Sequence, residues 1–132
     1  MSSIFTRIIN REIPSSIVYE DDVCIAILDI NPVQKWHTLV IPKQELEWMD
    51  DYSDEVVSHC MIVAKKLMIH MKKVMSDIHF VYLAVEGIEV PHWHIHLIPY
   101  QHWTVYPHVH RVVYDNGEQA QYHNILALQT SD

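Results

Sequence analysis

Glycine is scarce in this chain: it occurs only twice, as Gly87 and Gly117, among 132 residues. Proteins that bind nucleotides through a Walker loop or a dinucleotide-binding loop cradle the phosphates with several closely spaced glycines. Two isolated glycines exclude both kinds of loop. Phosphate binding in this protein would have to rest on a different kind of site.

Basic residues and long apolar runs are also few. Nine Lys and Arg stand against 17 Asp and Glu, and the formal net charge of −8 argues against sequence-independent binding to duplex nucleic acid. Purely apolar stretches, such as residues 23–28, are far shorter than the ~20 residues of a membrane helix. The N-terminus has no basic start followed by an apolar run, so no signal peptide is expected. We therefore predict a cytoplasmic protein with neither nucleic acid nor membrane as a partner.

Cysteine occurs only twice, which rules out a fold built on a disulfide framework. Cys24 and Cys60 both lie within apolar patterns, which is typical of buried thiols in a reducing compartment. Apolar residues make up 49% of the chain, enough for the hydrophobic core of one ordinary domain.

The hydrophobic pattern predicts short strands around one long helix. From residue 54 to about 76, apolar residues recur every three or four positions, which predicts a helix with Ser53 as its N-cap. Ile62 and Ile69 fall on the opposite side of that helix, either as singly exposed residues or as a subunit contact. Apolar segments bounded by turn residues predict a short N-terminal helix over residues 4–10 and strands over 17–20, 23–30, 37–41, 80–85 and 90–99. This order predicts an α+β fold.

Residues 100–132 give a weaker pattern. Asp115, Asn116 and Gly117 form a hairpin-turn signal, and His102, His108 and His110 add further histidines. We predict that this segment is a C-terminal extension packed on or near a domain core formed by residues 1–99.

Histidine is the abundant reactive group, with 11 copies, three of them at the alternating positions 92, 94 and 96. Alternate side chains of a strand share a face, so His92, His94 and His96 point the same way while the apolar residues between them face the core. Chance histidines on a solvated strand face are the simplest explanation. Two functional explanations compete with it.

The first functional explanation is metal binding, with further ligands from His37, His59 or the C-terminal extension. The second is nucleophilic catalysis, in which one imidazole attacks and its neighbours orient it and move protons. Attack on phosphorus would give a phosphoramidate bond that water breaks next, with no need for a metal. The residues alone leave both explanations open.

The motif His-Trp-His-Ile-His-Leu-Ile at residues 92–98 resembles the histidine triad (HIT) pattern His-φ-His-φ-His-φ-φ, where φ is apolar. Residues 4–9, 12–16, 19–22, 28–32 and 37–43 follow the N-terminal half of the same family in the same order. The resemblance covers about residues 3–99 and is to the general bacterial-type group of that family. It implies an antiparallel sheet of about five strands with one long helix and a short N-terminal helix, completed as a homodimer.

The resemblance also implies a function. The expected enzyme is a hydrolase or nucleotidyl transferase that acts on the α-phosphate of purine nucleotide conjugates, such as nucleoside phosphoramidates, through a covalent nucleotidyl-histidine and without a cofactor or metal. His94 would be the nucleophile, with His96, His92 and His37 completing the catalytic group. The expected nucleotide-binding residues are Asp29, Ile30, Ile4, Phe5, Ile8, Ile27, Leu39 and Glu89. The alternatives are a dinucleoside polyphosphate hydrolase, a low-activity nucleotide-binding or interaction module, and a histidine-based metal-binding protein.

The chain departs from the family pattern at several positions. Ser3 and Thr6 stand where many relatives have zinc-binding cysteines, and Trp36 replaces a small residue before His37. The polar Gln-Thr or Gln-Ser pair that usually follows the glycine is replaced by residues 88–89. The second of these is Glu89, which would repel a phosphate unless its side chain points away.

Overall fold

The computed structural model describes residues 2–102 and 114–128, and its centre is a five-stranded antiparallel sheet. The strands lie in the order β1-β2-β3-β5-β4, and each neighbouring pair is antiparallel. This confirms the predicted α+β architecture. The strands are β1 (Ile17–Glu20), β2 (Cys24–Leu28), β3 (Thr38–Pro42), β4 (Ile78–Glu86) and β5 (His94–Gln101).

Within the described residues, three α-helices flank the sheet: α1 (Ile4–Ile9), α2 (Asp54–Val74) and α3 (Glu118–Leu126). A 3₁₀ turn at Met49–Asp51 precedes α2. The side chain of Ser3 caps α1 by accepting the Thr6 N–H, and the predicted N-cap Ser53 does the same for α2. In the two described ranges, no helix is long and apolar enough to cross a membrane.

Both faces of the central strands are buried. On one face, α2 packs its apolar stripe against the sheet, and this α2 side includes Cys24, Leu28 and Ile95. The other face packs against α1, and this α1 side consists of Phe5, Ile8, Ile25, Ile27, Leu39 and Ile41. Burial on both faces explains why β2 and β3 consist of almost continuous apolar residues.

Ile62 and Ile69 lie on the side of α2 that faces away from the sheet, as the periodicity predicted. Ile62 is 54% exposed and Ile69 is 48% exposed, so neither contributes to the core of the chain. Whether they contact a second subunit stays a prediction.

Strand β5 begins at His94, four residues later than predicted, because the preceding segment is a packed loop. The Trp93 N–H donates to the Leu46 carbonyl, which joins this loop to the segment after β3. Gly87 allows the close approach, since a Cβ there would lie 2.5 Å from the Glu47 carbonyl oxygen. His92 therefore lies in a loop and not on the strand.

The hairpin expected at residues 115–117 is instead a turn that leads into α3. Gly117 has a φ of +82° and directly precedes the helix. α3 buries only Leu126, and the Leu128 N–H after it donates to the Val18 carbonyl of β1. This weak apolar pattern explains why the helix was not predicted. His108 and His110 lie outside the described residues, and the division into a core of residues 1–99 and an extension of 100–132 stays a prediction.

Candidate active site

Four histidines converge on the α1 side of the sheet. His94 and His96 lie on β5, His92 directly precedes that strand, and His37 directly precedes β3. Because β3 pairs with β5, with Leu39 opposite His96, the sheet brings His37 beside the triad. All four side chains are buried, the most exposed at 8%.

The ring of His94 is fixed in one tautomer. Its Nδ1 lies 2.8 Å from the backbone carbonyl oxygen of His92, and a carbonyl oxygen can only accept a hydrogen bond. Nδ1 therefore carries the proton, and Nε2 carries the lone pair. Phe5 of α1 packs edge-on against this ring, with the centroids 4.9 Å apart. The arrangement gives His94 a basic nitrogen of fixed direction.

His37 and His96 form a hydrogen-bond chain with a defined direction. The Val33 N–H donates to Nδ1 of His37 at 3.0 Å, so the proton of that neutral ring is on Nε2. His37 Nε2 then donates to His96 Nδ1 at 2.8 Å. The proton of neutral His96 is consequently on Nε2, which lies 3.1 Å from Oε2 of Glu86. The chain runs from a backbone amide through two imidazoles to a carboxylate.

His92 anchors α1 to the sheet. Its Nε2 donates to the Pro42 carbonyl at 2.7 Å, so its Nδ1 accepts from the Ser3 hydroxyl, also at 2.7 Å. The Ser3 N–H and the Thr6 hydroxyl both donate to one carboxylate oxygen of Glu45. The two residues that replace cysteines of the family pattern thus belong to a closed hydrogen-bonded group. Hydroxyl oxygens in these roles do not fit a zinc ion at this position.

Burial sets the charge state of the cluster. It lowers the pKa of His92 and His96, and the nearby His94 lowers both further. Burial raises the pKa of Glu86, but the charges of His96 and His94 and the backbone N–H groups of the following loop outweigh it, and the net pKa lies below the usual value. Without a ligand, burial therefore favours the neutral forms of His92 and His96, while the carboxylate of Glu86 favours its ionised form.

Glu86 is a site residue that sequence reasoning missed. It lies directly opposite His94 in the β4–β5 pairing, and its carboxylate contacts His96. The only sequence signal for Glu86 is an acidic residue at the end of a strand. That signal is insufficient, because the pairing register that places Glu86 opposite His94 cannot be inferred from the sequence. Glu89, which was predicted near the phosphate, lies in the loop beyond it, and its N–H is 3.5 Å from Oε1 of Glu86.

Some of the predicted nucleotide-binding residues lie close to the histidines or to one another on the α1 side, and others are exposed on the surface. Oδ2 of Asp29 lies 3.7 Å from Nε2 of His37. Phe5, Ile8, Ile27 and Leu39 form a buried wall on the α1 side, together with Ile25 and Ile41, which were not predicted. Ile4 and Ile30, in contrast, are 45% and 67% exposed. The roles of all these residues as nucleotide contacts stay predictions.

The segment before His37 is braced by the C-terminal part of the chain. Trp36 has a φ of +76°, a left-handed conformation that is rare for a bulky residue. Its N–H donates to the Tyr114 hydroxyl at 3.2 Å, and its ring stacks on Tyr122 with a centroid distance of 4.1 Å. Next to it, Lys35 forms a 2.7 Å ion pair with Glu118, whose pKa this contact and the Tyr122 hydroxyl lower to about 2. These contacts hold the loop that carries His37.

This fold and this histidine arrangement define a histidine triad protein, and comparison with known proteins agrees. The HIT domain model matches residues 10–103. An uncharacterised HIT-like protein of Borreliella burgdorferi is 43% identical over 102 residues, covering 73% of each chain.

Solved structures extend the likeness to nearly the whole chain. A zinc-bound histidine triad family protein from Mycobacterium smegmatis superposes with a TM-score of 0.81 at 26% identity, over 96% of this chain and 94% of that one. A HIT family hydrolase from Legionella pneumophila is 31% identical, with a TM-score of 0.67 over 80% of this chain and 99% of that one. The protein belongs to the HIT family.

Proposed function

We propose that this protein is a hydrolase or nucleotidyl transferase that acts on the α-phosphate of purine nucleotide conjugates, with nucleoside phosphoramidates as the favoured class. The observation that carries the proposal is the hydrogen bond from His94 Nδ1 to the His92 carbonyl. It leaves the lone pair of Nε2 available for attack on phosphorus. The remaining exposed edges of Phe5, Ile8, Ile27 and Leu39, 3–7% of each residue, would contact the base, and Asp29 would accept ribose hydroxyls.

The reaction has two displacements at phosphorus. His94 Nε2 forms a bond to the α-phosphorus while the bond to the leaving amine breaks, giving a nucleotidyl-imidazole whose positive charge is stabilised by the His92 carbonyl at Nδ1. Water then attacks the same phosphorus and gives a proton to His96, the bond to Nε2 of His94 breaks, and the mononucleotide leaves. The lone pair returns to His94.

Proton supply to the leaving group comes from the histidine cluster. A bound phosphate places negative charge beside His96 and favours its protonated form, despite burial that otherwise lowers its pKa. The protonated ring can give its proton to the departing amine and stabilise the equatorial oxygens as charge develops. The contact between His37 Nε2 and His96 Nδ1 orients the neutral ring, and protonation of His96 at Nδ1 requires His37 to stop donating to that nitrogen.

A homodimer and a cytoplasmic location complete the proposal. Strand β4 is at the edge of the sheet, is nine residues long, and exposes Phe80 by 65% and Val85 by 43%. Such edges are usually covered because they pair readily with other strands. Pairing of β4 with its copy would cover it, and size-exclusion chromatography with light scattering would measure the dimer. The free thiols of Cys24 and Cys60 fit a reducing compartment.

The test is an assay of AMP release from adenosine phosphoramidate and, separately, from diadenosine polyphosphates, each with and without EDTA. We expect release from the phosphoramidate that EDTA leaves unchanged. The variant His94→Ala should lose it, while His70→Ala, which changes a partly exposed histidine on α2 outside the site, should keep it. Mass spectrometry of the quenched reaction should detect the added nucleotidyl group on the wild type only. Full activity in His94→Ala would remove the proposed nucleophile.

A metal-dependent site is the second candidate, because two sets of donors meet at the triad. Asp29, His37 and His96 bring ligand atoms within 4.8 Å of one another, and so do Glu86, His94 and His96. Activity that EDTA abolishes and a divalent cation restores would favour this candidate. Preferential cleavage of diadenosine polyphosphates would instead favour the dinucleotide hydrolase, and calorimetric binding of AMP without turnover would favour the low-activity binding module.

A further inference from the structure

A second cluster of reactive side chains lies on the α2 side of the sheet, across from the histidine triad. Asp21 is in the turn between β1 and β2, and Cys24 is the first residue of β2. His59 and Cys60 are consecutive residues of α2 that meet this turn. None of the four takes part in the chemistry proposed above.

The donor atoms of this cluster are already close together. Oδ2 of Asp21 lies 2.6 Å from Nε2 of His59, and the ligand atoms of Asp21, Cys24 and His59 all lie within 4.8 Å of one another. The thiol of Cys60 is in hydrogen-bond contact with the thiol of Cys24. Both cysteines are fully buried and free.

The carboxylate of Asp21 is held in position by groups around it. Its Oδ1 accepts the backbone N–H groups of Val23 and Cys24 at 2.8 and 2.9 Å. The Tyr19 hydroxyl donates to Oδ2 at 2.6 Å. Outer contacts of this kind orient carboxylate ligands in metal sites and strengthen binding.

The cluster also has an entrance that attracts cations. A surface pocket of about 420 Å³ opens at Asp21 and is lined by Glu20, Asp21, Asp22 and Lys43. Three carboxylates face Lys43, and Arg11 also pairs with Glu20, so the pocket keeps a net charge of about −1. The His59 side chain is 38% exposed, so an ion can reach the cluster without unfolding the core.

We propose that Asp21, Cys24, His59 and Cys60 form a binding site for one zinc ion. Two thiolates, an imidazole and a carboxylate are ligands that zinc accepts in a tetrahedral arrangement, whereas calcium and magnesium prefer oxygen ligands alone. Zinc bonds of about 2.0–2.3 Å separate the donor atoms by about 3.3–3.8 Å. The spacings among Asp21, Cys24 and His59, all within 4.8 Å, must therefore close by about 1 Å, and Cys60, which is not in that set, must bring its thiol to the same point. Binding releases the two thiol protons to solvent.

Bound zinc would join the β1–β2 turn to α2. Its role would be structural, because the sheet separates it from the triad. Chelation should therefore lower the melting temperature of the protein and leave the AMP-forming reaction unchanged at temperatures where the protein stays folded.

Cobalt substitution tests this site directly. The apo protein is titrated with Co²⁺ under reducing conditions while the near-ultraviolet and visible spectra are recorded. We expect one Co²⁺ per chain, a thiolate-to-cobalt charge-transfer band, intense visible bands of tetrahedral cobalt, and displacement by Zn²⁺. The thiolate band separates this site from any metal at the triad, because the chain has no cysteine other than Cys24 and Cys60.

Variants distinguish ligands from neighbours. His59→Gln, at a partly exposed position, should fold and weaken cobalt binding at least 100-fold, and the matched control His70→Gln on the same helix should leave it unchanged. Tyr19→Phe should weaken it about 10- to 100-fold. A cobalt spectrum without the thiolate band, an affinity unaffected by His59→Gln, or a Cys24–Cys60 disulfide in the protein from reducing cells would each overturn the proposal.

Discussion

Replacing Ser3 by alanine removes one hydroxyl that makes two contacts at once. Its oxygen accepts the Thr6 N–H at the start of α1, and its proton is donated to Nδ1 of the buried His92. The side chain is buried, at 7% exposure, so water cannot replace the lost group easily. Both contacts are lost in Ser3→Ala, and nothing else is cut from the core.

The expected loss of stability is the sum of two terms. Loss of an N-cap costs about 1 kcal/mol, and a buried acceptor left without a partner costs about 1–3 kcal/mol. Ser3→Ala should therefore lower the free energy of unfolding by about 2–4 kcal/mol. Urea denaturation followed by tryptophan fluorescence measures it, at one fixed protein concentration because a dimer would make stability concentration-dependent.

Ser53→Ala is the matched control. Ser53 caps α2 through the same contact, with the Val56 N–H, but is exposed and has no buried histidine as partner. Its loss should cost about 1 kcal/mol. The difference between the two variants isolates the bond to His92. Equal losses in both would refute the conclusion that Ser3 satisfies His92.

Three further predictions concern the triad and the C-terminal brace. Tyr122→Leu removes the ring that stacks on Trp36 and should lower kcat about tenfold, because the loop that carries His37 loses support. The control Gln119→Ala, on the same helix but bonded to Ser16, should leave kcat unchanged. Equal effects of the two variants on kcat would contradict the role of the Trp36–Tyr122 contact. Glu86→Gln removes a negative charge beside the phosphate position and should tighten AMP binding about tenfold, about 1.4 kcal/mol, in calorimetry; weaker binding would contradict this repulsion. Stability should fall from pH 7 to pH 5, because burial holds the folded pKa values of His92 and His96 below the usual value of 6.5 and the unfolded state takes up more protons in this window. Each contributes at most about 2 kcal/mol at pH 5, and a flat urea-unfolding profile between these pH values would show that neither ring is held neutral.

Local patterns predicted most of the fold. The apolar stripe of α2 and its cap at Ser53 depend on contacts a few residues apart, which the sequence displays directly. Alternation along the predicted strand of residues 90–99 likewise indicated that Trp93, Ile95 and Leu97 face the core, and all three pack on the α2 side. α3 escaped prediction because it buries a single leucine and therefore has almost no periodic signal.

The sequence predicted the histidines of the candidate site but not the residues that form hydrogen bonds with them. The order of His92, His94 and His96 is local information, but their protonation states depend on Ser3, 89 residues away from His92, and on Glu86 of the neighbouring strand. These contacts follow from strand register and from the docking of α1. Neither is determined by spacing along the chain, so no motif could have revealed them.

Trp36 shows how two departures from the family pattern are connected. A left-handed conformation costs a residue with a Cβ atom about 1–2 kcal/mol, a cost that only glycine avoids. Here the backbone N–H of Trp36 is satisfied by Tyr114, and its ring is covered by Tyr122. Both tyrosines belong to the segment that lies beyond the matched HIT domain, residues 10–103. The tryptophan and the C-terminal segment therefore depend on each other, and together they fix the loop that carries His37.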